Sequence, residues 1–341
     1  MVSVPAMQRN KVILDLVERV GPAEAGQVVE VPLGPGQQGL VERWCERAGH
    51  RLLAVEGDVA TIRRGPIPDD DAMLDEIPVD RQPGARLWIY TNFDCNLACD
   101  YCCAKSSPQA ERRALGPDRI RELVAEGAEH GVTEIFLTGG EPFLLWDLDE
   151  IVAACAARAP TTILTNGMLF RGRRLDMLRA MPRADVALQI SLDSATAELH
   201  DLHRGAGSWQ RALDGIRTAL REGFRVRVAA TVAAGEAGAD EIAAFHSLLD
   251  GFGIDRDDQV IRPVAHRGFA DDGVTLTIES LVPEVTVTAD GIYWHPVTAG
   301  HEDQLVSRSL FPLGDAIAEV RRRFAAYRWE TRTAAQRFTC A

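Results

Sequence analysis

The chain contains no long hydrophobic run and few basic residues for its length. No stretch approaches the ~18 apolar residues of a membrane-spanning helix, so no membrane partner is expected. Lys and Arg number 37 against 50 Asp and Glu, and the net charge of −13 argues against a broad nucleic-acid-binding face. A signal peptide is also lacking, because no basic segment followed by an apolar one opens the sequence. These absences predict a globular cytoplasmic protein.

Cysteine is scarce as well, and its distribution is uneven. Of seven cysteines, four lie together at Cys95, Cys99, Cys102 and Cys103. Such clustering indicates metal binding rather than a disulfide framework. Three thiolates on one loop leave an open position, since a closed four-iron cluster or a structural zinc site uses four ligands. A zinc loop that lacks its fourth ligand is the alternative interpretation.

The first 65 residues form a domain of their own, in the predicted order helix, strand, helix, strand, strand. With the segment Trp44–Leu53, this order resembles the small TusA-like sulfur carriers, a two-layer α/β family that works through a Cys-Pro pair. The corresponding region, from Val4 to Lys11, has no cysteine. We therefore predict an accessory domain over 1–65 that docks partners or presents substrate. A linker over 66–85 follows, interrupted by prolines and the run Asp69–Asp71.

From residue 86 onward, predicted strands alternate with predicted helices, which implies a parallel sheet. The predicted strands cover 87–90, 134–137, 161–164, 187–190, 225–232 and 260–263. The predicted helices cover 118–130, 148–159, 174–180, 208–222 and 240–252. Ligands of such sheets bind outside the carboxyl ends of the strands. Polar or glycine-rich segments do follow the first four strands, at 95–102, 138–142, 165–167 and 191–193.

This combination resembles the radical S-adenosylmethionine (radical SAM) enzymes. Their signature, Cys-x3-Cys-x2-Cys with an aromatic residue before the last cysteine, is met by Cys95, Cys99, Tyr101 and Cys102. The resemblance implies a partial (β/α)6 barrel over 86–263. It also implies one [4Fe-4S] cluster, whose unique iron binds the amino and carboxylate groups of SAM.

The resemblance further implies which residues contact SAM. The segment Gly139-Gly140-Glu141-Pro142 is similar to the family's second motif, with Glu141 accepting from the methionyl ammonium. Other expected contacts are Thr165, Asn166, Ser191, Asp193 and, through the SAM carboxylate, Arg204. Taken alone, each of these segments is more typical of a turn, a helix cap or a surface charge.

Four further residues are candidates for contacting substrate. His200 and His203 lie in the segment that precedes the predicted helix 208–222. Arg262 and His266 lie at the end of the last predicted strand, where basic side chains can hold a carboxylate or phosphate. The alternative for the two histidines is capping of the next element, and the alternative for the basic rim is a solvated loop.

Residues 264–341 are predicted to form a short cap. Two β-rich runs, 285–288 and 292–294, flank an Asp-Gly turn and predict a hairpin. The hairpin resembles the start of the auxiliary domain of radical SAM maturases, but Trp294-His295-Pro296 stands where that domain has a cysteine. Only Cys340 follows, so no auxiliary cluster is expected. An amphipathic helix is predicted over 312–327.

These expectations together predict a radical SAM enzyme. The preferred substrate is a small molecule of a natural-product or cofactor pathway. Alternatives are a ribosomally made peptide, or a non-catalytic scaffold that binds the cluster and SAM. A reductant such as flavodoxin or ferredoxin is the expected protein partner.

Overall fold

The computed structural model of the chain describes residues 19–65, 77–233, 238–278 and 280–335, with the single positions 16 and 74. It contains two compact units, residues 1–78 with 321–341, and residues 79–320. The predicted helix over 11–20 lies mostly outside the described residues, as does most of the predicted linker before residue 77.

Residues 28–63 of the N-terminal unit form a three-stranded antiparallel sheet and a helix. Their elements are β1 (Val28–Pro32), α1 (Gln38–Arg47), β2 (Arg51–Glu56) and β3 (Val59–Arg63). The central strand of the sheet is β3. Helix α1 buries Val41, Trp44, Cys45 and its neighbour Ala48 in the core of this unit, where Ile62 of β3 is also buried. The predicted strand, helix, strand, strand order is confirmed.

The second unit is organised by a parallel sheet with helical crossovers. Its parallel strands are β4 (Arg86–Tyr90), β5 (Glu134–Thr138), β6 (Thr161–Thr165), β7 (Val186–Ser191), β8 (Arg225–Val232) and β9 (Gln259–Pro263). The helices between them are α2 (Pro117–Glu129), α3 (Leu148–Ala156), α4 (Arg173–Ala180), α5 (Ala197–Arg204), α6 (Ser208–Arg221) and α7 (Ala239–Asp250). Neighbours in sequence pair in parallel from β4 to β9. This is the predicted partial barrel, and all six predicted strands are present.

Burial explains why this part of the sequence folds as it does. Leu87 and Ile89 of β4, Leu137 of β5 and Ile163 of β6 are each fully buried. Helices cover a parallel sheet, so its strands carry dense apolar runs. The first crossover helix, α2, begins at Pro117 after Gly116, because proline is favoured in a first helical turn.

The C-terminal hairpin joins the same sheet. It consists of β10 (Thr286–Thr288) and β11 (Gly291–Tyr293), and β12 (Leu305–Ser307) pairs with β11. Strand β10 pairs in parallel with β4, opposite Trp88 and Ile89. The described strands thus form a nine-stranded open sheet in the order β12-β11-β10-β4-β5-β6-β7-β8-β9. The hairpin is confirmed, and its attachment to the barrel sheet was not predicted.

One helix was not predicted, and one predicted helix end was wrong. The segment with His200 and His203 is helix α5, in which His200 and Arg204 are buried. The last helix, α8, runs over Leu313–Ala335, eight residues beyond its predicted end. Within the described residues, no helix is both long enough and apolar enough to cross a bilayer.

Candidate active site

The carboxyl end of β4 leads directly into the cysteine loop, residues 91–107. The side-chain amide of Asn92 donates to the backbone oxygens of Asp94 and Glu141, at 2.9 and 3.1 Å. Cys95 N donates to Ser107 O at 3.2 Å, which ties the beginning of the loop to its end. The loop is therefore fixed from within and by the segment after β5.

The thiols of this loop lie in a sparsely hydrated environment. The Sγ atom of Cys95 accepts from Leu97 N, and that of Cys102 accepts from Ser106 N, both at 3.4 Å. Burial, as the largest cause, raises the pKa of Cys95 to about 12 and that of Cys99 to about 11. Both thiols are protonated at neutral pH without a metal, so binding of iron must release protons.

No three His, Cys, Asp or Glu side chains are grouped for a single metal ion within the described residues. Cysteines of a four-iron cluster each bind a different iron, so their sulfur atoms are spread around the cluster rather than gathered at one ion.

Gly139 and Gly140 allow the turn after β5 to pack against the cysteine loop. A Cβ atom on Gly139 would lie 2.4 Å from Asn92 O, and one on Gly140 would lie 2.1 Å from Asp94 O. Gly139 also has a φ of +147°, in the region that favours glycine. These glycines permit a close approach to the protein's own backbone, and the predicted approach to SAM stays a prediction.

Glu141 is fully buried, and both of its carboxylate oxygens accept hydrogen bonds. Its Oε1 accepts from Phe143 N at 3.0 Å and from Thr165 Oγ1 at 2.7 Å, and its Oε2 accepts from Asn166 N at 2.8 Å. Burial raises the pKa of this carboxyl above its usual range, and the hydrogen bonds from Asn166, Thr165 and Phe143 oppose the shift. We call Glu141, Thr165 and Asn166 the Glu141 brace. The buried carboxylate thus positions its neighbours, and its contact with the ammonium group of SAM stays a prediction.

The Glu141 brace reaches the cysteine loop through Asn166. Its Nδ2 donates to Asn96 Oδ1 at 2.8 Å, and its Oδ1 accepts from Met168 N at 3.0 Å. Thr165 Oγ1 also accepts from Gly167 N at 3.0 Å. The predicted residues Thr165 and Asn166 thus adjoin the cysteine loop, and both are buried and positioned by protein contacts. Asn92 and Asn96 were missed, although short amides flanking the first cysteine were a visible signal.

A second brace centres on Asp193, two residues beyond β7. Arg204 of α5 donates from Nε to Asp193 Oδ2 at 2.5 Å and from Nη2 to Oδ1 at 3.1 Å. The hydroxyl of Tyr101 donates to Asp193, and Thr231 N donates to its Oδ1 at 3.0 Å. We call Asp193, Tyr101 and Arg204 the Asp193 brace; it ties the cysteine loop to β7 and α5.

Electrostatics hold this second brace in its ionised form. Burial opposes the charge of Asp193, but the charge and hydrogen bonds of Arg204 outweigh it and keep the pKa of Asp193 below its usual range. The side chains of Arg204 and Asp193 are 8% and 2% exposed, so the pair is shielded from solvent. Arg204 pairs with the carboxylate of Asp193, and its contact with the SAM carboxylate stays a prediction.

The remaining predicted residues differ in availability. Ser191 is half-buried at the end of β7, and its hydroxyl makes no hydrogen bond among the described residues. His200 is fully buried, its Nδ1 accepts from Asp193 N at 3.1 Å, and burial followed by the Arg204 charge lowers its pKa to about 4. His203 contacts Asp100 of the cysteine loop at 2.9 Å. Both histidines therefore contact residues of the site, and their contact with substrate stays a prediction.

The predicted basic rim is exposed at the end of β9. Arg262 Nε donates to Thr231 Oγ1 at 3.2 Å, and His266 is exposed nearby in sequence. Gly268 packs on the carbonyl of Cys102, since an added Cβ atom would lie 2.1 Å from that oxygen. The segment after β9 thus borders the cysteine loop.

The geometry defines a cysteine loop braced by two buried carboxylates at the edge of a partial α/β barrel. Residues 89–249 match the sequence profile described as the Radical SAM superfamily. The chain therefore contains a radical SAM domain.

Two characterised relatives share part of the sequence. The antilisterial bacteriocin subtilosin biosynthesis protein AlbA of Bacillus subtilis is 33% identical over 140 residues, which cover 40% of this chain and 31% of AlbA. The AdoMet-dependent heme synthase of Oleidesulfovibrio alaskensis is 31% identical over 158 residues, or 45% of this chain and 40% of the synthase. The chain thus spans less than half the length of either relative.

A solved structure shows the same fold. The enzyme anSMEcpe with bound AdoMet and the Cp18Cys peptide superposes with a TM-score of 0.52 at 12% identity, over 69% of this chain and 79% of that one.

Proposed function

We propose that this chain is an enzyme that cleaves SAM reductively and uses the resulting radical to abstract hydrogen from an organic substrate. The observation that supports the proposal most directly is the cysteine loop itself. Cys95, Cys99 and Cys102 lie at the carboxyl edge of a partial barrel, within the segment that matches the radical SAM profile. Three thiol ligands leave one iron of a four-iron cluster free for SAM.

The donor set fits a [4Fe-4S] cluster. Soft thiolates are its usual ligands, and backbone N–H groups already point at two of the sulfur atoms. When bound, the cluster would supply the electron that breaks the sulfur–carbon bond of SAM, giving methionine and a 5′-deoxyadenosyl radical. The partial barrel would enclose the radical, which must be kept from water and stray hydrogen donors.

The protein's own residues hold and orient these groups. The Glu141 brace and the Asp193 brace fix the cysteine loop from two sides, so that three thiols on a loop act as a preorganised ligand set. Ser191 has a hydroxyl available for a polar group of SAM. Tyr101, Gly139, Gly140 and Pro142 would line the cofactor site by forming its walls.

For the substrate, we propose a small molecule of a natural-product or cofactor pathway. Only one cysteine follows the barrel in the sequence, which is too few for the auxiliary cluster of two-cluster peptide maturases. Arg262 and His266, exposed at the end of β9, would hold an anionic group of this substrate. The heme synthase among the relatives supports a small-molecule substrate.

A peptide substrate is the second candidate. Two names favour it: AlbA is a bacteriocin biosynthesis protein, and anSMEcpe was solved with a peptide. Deuterated candidates of both classes would decide between them, because deuterium appears in 5′-deoxyadenosine only when the radical meets its substrate.

We further propose that residues 1–65 form a TusA-like accessory domain for docking or substrate presentation. Its two-layer arrangement of sheet and helix supports this interpretation. An electron donor such as a flavodoxin or ferredoxin would complete the system.

The test is anaerobic reconstitution with iron and sulfide, followed by reduction in the presence of SAM. We expect about four irons per chain and release of 5′-deoxyadenosine. If neither bound iron nor 5′-deoxyadenosine is found, the proposed enzymatic function is wrong. Cluster and SAM binding without any SAM cleavage would favour the non-catalytic scaffold.

A further inference from the structure

An exposed tryptophan lies against two arginines, with a third arginine close to them in sequence, on the segments that follow β5 and β6. Trp146 is 53% exposed, although large apolar side chains of this chain are mostly buried. The guanidinium groups of Arg173 and Arg174 lie 4.9 and 4.3 Å from its ring centroid. Arg171 is exposed two residues before Arg173. We call these four residues the arginine–tryptophan patch.

Among the described residues, the exposed Arg171 and Arg173 form no ion pair, whereas Arg179 of helix α4 does. The charge of the third arginine, Arg174, acts on the buried carboxyl of Glu141. The chain has a net charge of −13, so acidic partners are plentiful elsewhere.

Acidic residues are also present close to the patch in sequence. Asp147 and Asp149 follow Trp146, and Glu150 and Asp176 are engaged by arginines outside the patch. Neither Asp147 nor Asp149 neutralises the patch arginines by a direct ion pair. The two exposed cations, Arg171 and Arg173, therefore remain available for an external partner.

The patch has the residue composition that is typical of the centre of a protein–protein interface. Trp and Arg are enriched among the residues that carry most of the binding energy at protein interfaces. Stacking on the Trp146 ring also fixes the orientation of two guanidinium groups, which lowers the entropy lost when they bind carboxylates.

The patch is joined to the cysteine loop by successive contacts. Arg174 Nε donates to Phe143 O at 2.6 Å, and Phe143 N donates to Glu141. From there the Glu141 brace reaches Asn96, the residue after Cys95, through Asn166. The patch therefore lies on the segments after β5 and β6, whose residues also contact the cysteine loop.

We propose that the arginine–tryptophan patch is the docking surface for an acidic electron-donor protein, of the flavodoxin or ferredoxin class, that reduces the cluster. This inference rests on the proposed function. The step transfers one electron: the reduced donor is oxidised by one electron, the cluster is reduced by one, and no bond or proton is exchanged. Positive charge on the patch attracts the acidic donor and speeds their encounter.

The experiment compares two double variants of the full chain that lose equal charge. Arg171→Gln with Arg173→Gln alters the patch, whereas Arg211→Gln with Arg221→Gln alters exposed positions on α6. Oxidised flavodoxin is the binding probe, measured on the cluster-free chain at low and raised ionic strength. SAM cleavage by the reconstituted chain is measured with reduced flavodoxin and, separately, with dithionite.

We expect the patch variant to bind flavodoxin about tenfold more weakly and to lose most of the salt dependence. Its flavodoxin-driven SAM cleavage should slow to a similar extent, while dithionite-driven cleavage stays unchanged. The α6 variant should match the wild type in all three measurements.

Three results would overturn the proposal. The proposal is wrong if the wild-type chain does not bind flavodoxin at low ionic strength. It is also wrong if the two double variants lose flavodoxin binding equally. A patch variant that also loses dithionite-driven turnover would assign the patch to an acidic peptide substrate or to the site's integrity. The proposed function fails separately: the wild type would bind flavodoxin, yet no reductant would cleave SAM.

Discussion

Glu141 and Asp193 are both buried carboxylates that secure the cysteine loop, but they are balanced in different ways. Glu141 is surrounded by neutral donors from Phe143, Thr165 and Asn166, and its pKa is raised. Asp193 is paired with the buried Arg204, and its pKa is lowered. The stabilisation from a hydrogen-bonded carboxylate depends on the positions of its donors, whereas the stabilisation from an ion pair depends on both charges being present. Substitutions can test whether loss of the ion pair lowers the stability of the fold more than loss of a hydrogen-bonded carboxylate does.

The largest effect is expected for Asp193→Asn. The substitution leaves the buried Arg204 without its anion, and such an uncompensated charge costs roughly 3–5 kcal/mol. Urea unfolding of the cluster-free chain should show this loss, and iron loading of the cysteine loop should fall with it.

A double variant supplies the control for that prediction. Asp193→Leu combined with Arg204→Met removes both charges, so stability should recover relative to Asp193→Asn. Iron loading should recover less, because Tyr101 still lacks its acceptor. If Asp193→Asn unfolds like the wild type, the ion pair does not stabilise this edge of the sheet.

Glu141→Gln should cost less, roughly 1–3 kcal/mol, because one amide NH2 group then faces a backbone or hydroxyl donor and leaves it unsatisfied. The variant should also change the pH dependence of unfolding. Since the pKa of Glu141 is raised in the fold, the wild-type free energy of unfolding contains a contribution that falls as pH rises above the usual carboxyl range. Denaturant titrations across this range should show that decline in the wild type and not in Glu141→Gln.

His200 offers a pH test of the Asp193 side. The unfolded chain protonates this histidine near pH 6.5, but the folded chain does so only near 4, so stability falls as pH drops through this window. At pH 5 the penalty amounts to about 2 kcal/mol. His200→Asn retains an acceptor for Asp193 N and should flatten the curve between pH 6.5 and 4.5; an unchanged slope would remove His200 as the cause.

Tyr101→Phe should give the smallest change. Asp193 keeps its contacts with Arg204 and Thr231, so loss of the hydroxyl should cost about 1 kcal/mol. Chemical denaturation and the absorbance of the reconstituted cluster measure the two consequences. Iron loading well below the wild type, at unchanged stability, would show that Tyr101 positions the loop beyond what its hydrogen bond implies.

The alternation of strands and helices could be predicted because apolar runs and turn residues are local signals. The cysteine spacing, the glycine pair Gly139-Gly140 and Glu141 could likewise be identified from the sequence. The contacts of each residue could not be predicted, because they join distant positions: Arg204 pairs with Asp193 across 11 residues, and Tyr101 contacts Asp193 across 92. Helix α5 was missed because it spans only eight residues and its burial comes from that ion pair.

The parallel pairing of β10 with β4 has a consequence for how the chain folds during synthesis. Arg86 of β4 and Glu284, which it contacts at 3.2 Å just before β10, are 198 residues apart. Until that later segment leaves the ribosome, one edge of β4 has no strand beside it, at the position that feeds the cysteine loop. An unpaired edge invites pairing with other chains, and a contact of such high sequence separation forms late. The window between making β4 and covering it is therefore the interval in which the nascent enzyme would gain most from a chaperone or from early cluster insertion.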